Sequence, residues 1–362
     1  MTFTLTEGWP MVKFIMVGCD LHDRSMLLKM AVGVEAPTKR SWSNDPSGRV
    51  AMIADLKRRA AAVGATRIVF AYEASGLGFT LWDQLTAAGI ECHVLAPTRI
   101  ERSVKDRHRK TDERDAERIL ALLRGWLLAG NELPAVWIPD LQTRDDRELV
   151  RMRLTVADKL TRCKVQIRCL LKRTNTARPA MKAWTGDYRV WLGQQAKSGL
   201  PAGAGLALSS LLRQLEYLQW EVAALSRQVE QLAQGQRYAR PATALVKELQ
   251  GVGVLTAMVF LTEMGDLRRF NNRYQVGSFL GLTPKSLETG ETDDRKGHIT
   301  CEGPARVRKV LCQAVWSRIR TDQQVRAKYE RVAAKNPNHK KKGVVALMRD
   351  LGIAMWHKAL AA

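Results

Sequence analysis

Residues 12–23 read VKFIMVGCDLHD, an apolar run that stops abruptly at acidic and turn-forming residues. Length and composition predict a buried β-strand, with Asp20 at its rim. A carboxylate there needs a partner, because an unpaired charge beside an apolar core is costly. A second run, TRIVFAYEASG at 66–76, ends the same way, at Glu73. Between them, SMLLKMAVGVE (25–35) and TKRSWSND (38–45) predict two further strands in a meander. SGRVAMIADLKRRAAAVG (47–64) predicts a helix with Val50, Ile53, Leu56 and Ala60 on its inner face and Gly64 as its stop. GFTLWDQLTAAG (78–89) predicts a helix, ECHVLAP (91–97) a strand and DERDAERILALLRGWLLAG (112–130) a helix. Strands first, then strands alternating with helices, predict an α/β domain with a mixed sheet over 11–135. Residues 1–10 are expected to form a short disordered extension.

The chain has 362 residues, so two or three domains are expected. It carries 58 Lys and Arg against 36 Asp and Glu, a net charge of +22. Such an excess points to a polyanion, since each phosphate neutralised releases condensed counterions. A basic protein of the membrane surface is the competing class, but no Lys/Arg-rich amphipathic helix with bulky aromatics opposite stands out. No apolar run approaches the ~20 residues needed to span a bilayer. The N-terminus lacks the features of a secretory signal. The six cysteines (Cys19, Cys92, Cys163, Cys169, Cys301, Cys312) form no CxxC pair and have no histidines at zinc spacing. Reduced thiols in a cytoplasmic protein, with no membrane partner, are expected.

Within RHRKTDERDAERIL (107–120), four basic or imidazole side chains are followed at once by Asp112 and Asp115, which share one face of a helix. The plain reading is a solvated helix start whose aspartates complement the helix dipole. The sharper reading groups them with Asp20 and Glu73, because sites in open α/β sheets gather at the carboxyl ends of strands. Four carboxylates from one domain would suit a divalent cation such as Mg²⁺, which also holds phosphate oxygens. Lys105, Arg107, Arg109 and Lys110 then form a phosphate track beside it.

Residues 142–235 change character. Met152, Val156, Leu160, Cys163, Ile167 and Leu170 step by three or four along one long helix. After a Pro/Gly-rich break at 178–205, Leu211, Leu215, Leu218, Val222, Leu225, Val229 and Leu232 keep a/d spacing. A coiled-coil helical hairpin is expected, its seam buried within one protomer or between protomers. Residues 241–362 predict a mainly helical unit. In it LQGVGVLTA (249–257) places Gly251 and Gly253 as in a helix-hairpin-helix turn, whose backbone N–H groups can meet a phosphate. His339, Lys340, Lys341 and Lys342 precede a final helix and read as phosphate contacts, as do Arg306, Arg308 and Lys309.

GCDLH (18–22), YEASG (72–76) and KTDERDA (110–116), followed by GVGVLTA (251–257), GLTPKSLETGE (281–291) and GHITCEGPARVRKVL (297–311), carry a specific resemblance. Together they resemble the DEDD-type insertion-sequence transposases of the "one-ten" family, the bridge-RNA-guided recombinases related to the Piv invertase. The resemblance implies an N-terminal RuvC-like (ribonuclease H-like) domain, a coiled-coil segment and a C-terminal transposase domain. It implies that Asp20, Glu73, Asp112 and Asp115 hold Mg²⁺. It implies donor and target DNA and a structured guide RNA; because recombining two duplexes requires several active sites at once, a dimer or tetramer is also expected. The family's nucleophilic serine, which stands before a glycine, corresponds here to Thr289. That departure keeps the hydroxyl but adds a β-branch that restricts χ1, and Ser286 is the fallback nucleophile. Two alternatives are a Holliday-junction resolvase-like metal nuclease and a non-catalytic nucleic-acid-binding protein.

Overall fold

The computed structural model describes residues 13–100, 111–286, 296–335 and 337–362. The chain divides into two compact units, residues 1–138 and 139–362. The expected extension at 1–10 lies outside the described residues. No helix among the described residues is long and apolar enough to cross a membrane.

In the first unit, β1 (Phe14–Leu21), β2 (Ser25–Val32), β3 (Thr38–Ser43), β4 (Arg67–Glu73) and β5 (Glu91–Leu95) form one sheet. Its order is β3-β2-β1-β4-β5. The β1–β2 and β2–β3 pairs are antiparallel, whereas β1–β4 and β4–β5 are parallel. The short link after β1 can make only a hairpin. The parallel pairs need crossovers, supplied by α1 (Pro46–Val63) and α2 (Thr80–Ala87).

Alternation along the strands assigns the two faces. Ile15, Val17 and Cys19 of β1 join Phe70 and Tyr72 of β4 in a core that includes Met52 and Leu56 of α1 and Leu81 and Leu85 of α2. Met16 of β1 and Val69 and Ala71 of β4 point the other way, into a core with Ile119, Leu120 and Leu123 of α3 (Asp112–Ala129). The buried face of α1 is Gly48, Met52, Leu56 and Ala60; Val50, expected to face inward, is exposed. The buried positions step by four from Gly48, which leaves Val50 off the inner face. Beyond α3 the chain returns along β5, where Val136 N–H donates to Val94 O at 2.8 Å, covering that strand's edge.

Gly18 is where α3 meets the sheet. A Cβ there would lie 2.3 Å from Ala116 O and 2.4 Å from Leu120 N. Only glycine lets the helix backbone lie this close to β1.

In the second unit, α4 (Leu141–Arg173) and α6 (Ala202–Gln234) are 33 residues each, about 50 Å long. They run antiparallel, since Val150 and Leu154 share a core with Val229 and Ala233, and Cys163 and Ile167 share another with Leu208 and Leu215. The a/d seam of α6 therefore packs on α4 of its own chain. The break at 178–205 contains a helix that the sequence pattern hides, α5 (Gly186–Gln194). Thr185 caps it, and Tyr188 and Leu192, four apart, are fully buried in the hairpin's distal core.

The rest of the unit comprises α7 (Ala239–Glu248), α8 (Val254–Met264), α9 (Arg273–Phe279), β6 (Pro284–Ser286), β7 (Lys296–Ile299), α10 (Ala305–Thr321), α11 (Gln323–Ala334) and α12 (Lys341–Ala361). Helix α8 is buried on every side from Ala257 to Met264, as an apolar central helix must be. Its one carboxylate, Glu263, receives both arms of Arg151 at 2.8 and 2.9 Å, and Arg147 donates to the carbonyls of Thr262 and Glu263. These bonds root the hairpin in the C-terminal core, where Val150, Leu154 and Val229 share a cluster with Met258 and Phe260.

Gly18→Ala should lower stability by about 1–3 kcal/mol, the usual cost of forcing atoms into a packed contact. Thermal unfolding followed by circular dichroism would read this as a lower melting temperature. Gly76→Ala, at a site with nothing within 4 Å, should leave it unchanged.

Candidate metal centre

The same alternation that builds the α3 face extends one step past the apolar layer. After Met16 and Gly18 comes Asp20; after Val69 and Ala71 comes Glu73. Because Cys19 pairs with Tyr72 in the parallel register, Asp20 and Glu73 end neighbouring strands at the same level. Helix α3 starts over this edge. Thr111 caps it by accepting from Arg114 N–H, and Asp112, Glu113 and Asp115 occupy its first turn.

Asp20, Asp112 and His22 each offer a ligand atom within 4.8 Å of the other two. His22 Nε2 lies 3.0 Å from Asp20 Oδ2 and 3.4 Å from Asp112 Oδ1. The β1–β2 turn sets the imidazole: His22 N–H donates to Ser25 O at 2.9 Å, and Asn44 Nδ2 donates to His22 O at 2.6 Å. Arg49 Nε in turn donates to Asn44 Oδ1. A cleft of about 690 Å³, lined by His22, Arg24, Ser75 and Gly76 among others, opens beside these residues.

Asp115, one turn along α3, is 8% exposed and paired with Arg118 at 2.9 Å. Burial raises the Asp20 pKa above the ordinary aspartate value; His22 beside it pulls it back, while Asp112 and Asp115 push it up again. Asp20, Asp112 and Asp115 thus share one electrostatic neighbourhood. Glu113 points elsewhere, to Lys29 of β2 at 2.6 Å and Lys39 of β3 at 2.7 Å. Hydrogen bonds from these two lysines pull its carboxyl down to about 2. That tether fixes the first turn of α3 across three strands' width.

His22 escaped the sequence reading. Its signal was the GCDLH motif, where it stands two residues beyond Asp20, but proximity to Asp112 depends on the turn. Lys105, Arg107, Arg109, Lys110 and Thr289 lie outside the described residues. For Ser286 only the backbone is described, in β6.

The basic residues expected to meet phosphate divide by partner. Arg308 is spent inside the protein: it donates to the carbonyls of Leu280, Cys301, Glu302 and Gly303 at 3.1, 2.8, 2.9 and 3.3 Å. Lys309 pairs with Asp158 of α4. Arg306 lies within electrostatic reach of Glu263. Gly251 is left-handed (φ 81°) and fits against Arg318 and Ala314 of α10, a packing requirement in its own right. Gly253 starts α8 with open space around it. Lys340, Lys341 and Lys342 are exposed at the start of α12.

A five-stranded mixed sheet with acidic residues at its strand ends, followed by a mainly helical unit, defines the class: a two-part α/β and α protein with a candidate carboxylate metal centre. Residues 17–176 match a DEDD-type transposase family named for IS110, and residues 243–330 match the family described as "Transposase IS116/IS110/IS902 family". Both matched stretches are thus similar to transposases of the IS110 type. The chain is 33% identical over 253 residues to "Putative transposase y4qE" of Sinorhizobium fredii, covering 69% of this chain and 58% of that protein. "Putative transposase y4rJ" of the same organism is 28% identical over 87% of this chain and 83% of its own length. "Transposase for insertion sequence element IS1533" of Leptospira borgpetersenii is 24% identical over 68% of this chain and 69% of its own. The match thus spans well under two thirds of the first of these relatives.

A carboxyl whose pKa is raised by folding binds its proton more tightly in the folded than in the unfolded chain. Its contribution to stability is therefore present below the unfolded value and is lost as pH rises through the folded one. Asp20→Asn removes that term. In buffer containing a chelator it should melt above wild type at pH 7.5 and converge with it near pH 4, the ordinary aspartate range. A melting temperature lowered at both pH values would contradict this reading of the site.

Proposed function

We propose that this chain is a DNA recombinase of an insertion sequence, cutting, exchanging and rejoining strands with a bound divalent cation. The observation that carries the proposal is the convergence of Asp20, Asp112 and His22 at the carboxyl edge of a five-stranded mixed sheet. The strand order supports a RuvC-like (ribonuclease H-like) reading of the first unit. The donor set suits Mg²⁺: Asp20 and Asp112 supply hard oxygen ligands, with Glu73 at the level of Asp20 and Asp115 one turn away. Mg²⁺ held there would neutralise charge developing on a scissile phosphate. Arg118 holds Asp115 in place, and the tether of Glu113 holds Asp112 over the strand ends.

In the proposed reaction the Thr289 hydroxyl attacks a DNA phosphodiester. A bond forms from threonine oxygen to phosphorus, the bond from phosphorus to O3′ breaks, and the 3′-oxygen leaves with a proton. A 3′-hydroxyl from another strand then attacks the phosphothreonyl bond and restores Thr289. The number of phosphodiester bonds is conserved, so no ATP is consumed. The net charge of +22 supports a polyanion partner, and the family resemblance makes that partner donor and target DNA with a structured guide (bridge) RNA. Recombining two duplexes requires several active sites at once, which supports a dimer or tetramer, with the hairpin α4–α6 in the place of the family's coiled coil. Lys105, Arg107, Arg109 and Lys110 precede Asp112 as the proposed backbone track, and cytoplasmic action at the nucleoid goes with it.

The deciding experiment is recombination of donor and target plasmids by the purified full-length chain with the RNA encoded beside its gene, with covalent adducts resolved on denaturing gels. Asp20→Asn and Thr289→Val should each lower recombination by several orders of magnitude, as removal of a core catalytic group does. Thr289→Val should leave no adduct, whereas Thr289→Ser should retain activity. Normal recombination in Thr289→Val with a dead Ser286→Ala would move the nucleophile to Ser286. Metal-dependent cleavage without any adduct would favour a resolvase-like nuclease.

A further inference from the structure

The second unit carries a cleft of about 1150 Å³ that the carboxylate chemistry does not use. Its floor is apolar, formed by Leu282, Ile299, Val345 and Ile353. Its rim holds five permanent cations, Arg273, Lys340, Lys341, Lys342 and Arg349, with His298 beside them. The one carboxylate among the described lining residues, Asp350, is already held by Lys328 at 2.7 Å. Tyr274 stands at this rim, 61% exposed, with Arg273 5.1 Å from its ring centre and donating to its hydroxyl at 3.1 Å. Arg349 is near enough to Tyr274 to act on it electrostatically, and a Cβ on Gly277 would sit 3.0 Å from its Nε.

Cations alone would suit the outside of a duplex, where the bases are stacked away from the protein. An apolar floor with an exposed ring inside a cationic rim suits a strand whose bases are unstacked, because every base offers a π-face to an aromatic side chain. The floor also favours deoxyribose. A ribose hydroxyl laid on Leu282, Ile299 and Ile353 would lose its water without gaining a partner. The lining of the cleft includes Pro284 and Ile299, the ends of the β6–β7 pair. In sequence, the connection between those strands carries Thr289.

We propose that this cleft takes a short unstacked stretch of single-stranded DNA, with one base stacked on Tyr274 and the flanking phosphates on Lys341, Lys342 and Arg349. The choice of DNA rests on the recombinase reading; the choice of an unstacked strand does not. Binding needs no chemistry at the carboxylates and is read as affinity in chelator, so failure of one idea leaves the other standing.

The test is fluorescence anisotropy of the full-length chain, in chelator, with a labelled 12-nucleotide DNA, the RNA of matching sequence and the corresponding duplex. Tyr274→Ala should weaken single-stranded DNA at least about fivefold, the lower end of what one stacked base contributes. Tyr274→Phe should stay within about twofold, because stacking uses the ring and not the hydroxyl. Lys341→Ala should flatten the dependence of log affinity on log salt by about one unit. A 5-iododeoxyuridine oligonucleotide, irradiated on the wild-type protein, should cross-link to Tyr274 by mass spectrometry, a readout that stands even where a variant is unstable. The proposal is overturned by cross-links confined to other residues or by an equal loss on duplex and single strand. Tighter binding of RNA than of DNA would also overturn it, and would make the occupant an RNA strand.

Discussion

The contact between Gly18 and the backbone of α3 is the constraint on which the candidate centre depends. Asp20 sits two residues further along the same strand, and Asp112 sits one turn before Ala116 on the helix. A side chain at Gly18 would hold the helix off the sheet, and the two carboxylates would part with it. Around that contact the first unit adds independent restraints: Ile119, Leu120 and Leu123 bury against the sheet, and Glu113 ties the helix start to two strands. Burial sets the separation and the ion pairs set the rotation. Neither alone would place a carboxylate within bonding distance of an imidazole.

The second unit solves a different problem with the same physics. Its charged residues are abundant, yet several are turned inward. Arg147 and Arg151 meet Glu263 and the carbonyls around it, and Arg308 closes the turn after β7. A buried carboxylate such as Glu263, 6% exposed, is tolerable because two guanidinium groups meet it. Replacing Arg151 would leave this buried carboxylate with only Arg147, 4.0 Å away. Excess charge thus splits between cations that hold the fold and cations left at the surface, and only the second kind is available to a polyanion.

Much of this was legible from sequence, and the limits have physical causes. A buried strand that ends in an acid announces itself, because apolar runs and terminal charges are local properties; Asp20 and Glu73 follow from it. The heptad seam of α6 was equally plain, but period says only that a face is buried, not what covers it. Helix α5 was hidden by Pro and Gly on either side, although Tyr188 and Leu192 have helical spacing. Arg308 reads like its neighbours in sequence; the four carbonyls that claim it come together only when the turn after β7 folds back. His22 stands next to a carboxylate in sequence, yet its approach to Asp112, ninety residues on, is a property of the assembled sheet and helix.

The hairpin α4–α6 is rooted at one end, through Arg147 and Arg151, and carries a separate small core of Tyr188, Leu192 and Leu208 at the other. That makes it a lever. Over roughly 50 Å of helix, a rotation of about 6° at the root moves the far core by some 5 Å, about one helical turn. Small rearrangements around Glu263 are therefore magnified at the tip, and forces on the tip return to the apolar helix α8 at the centre of the C-terminal core.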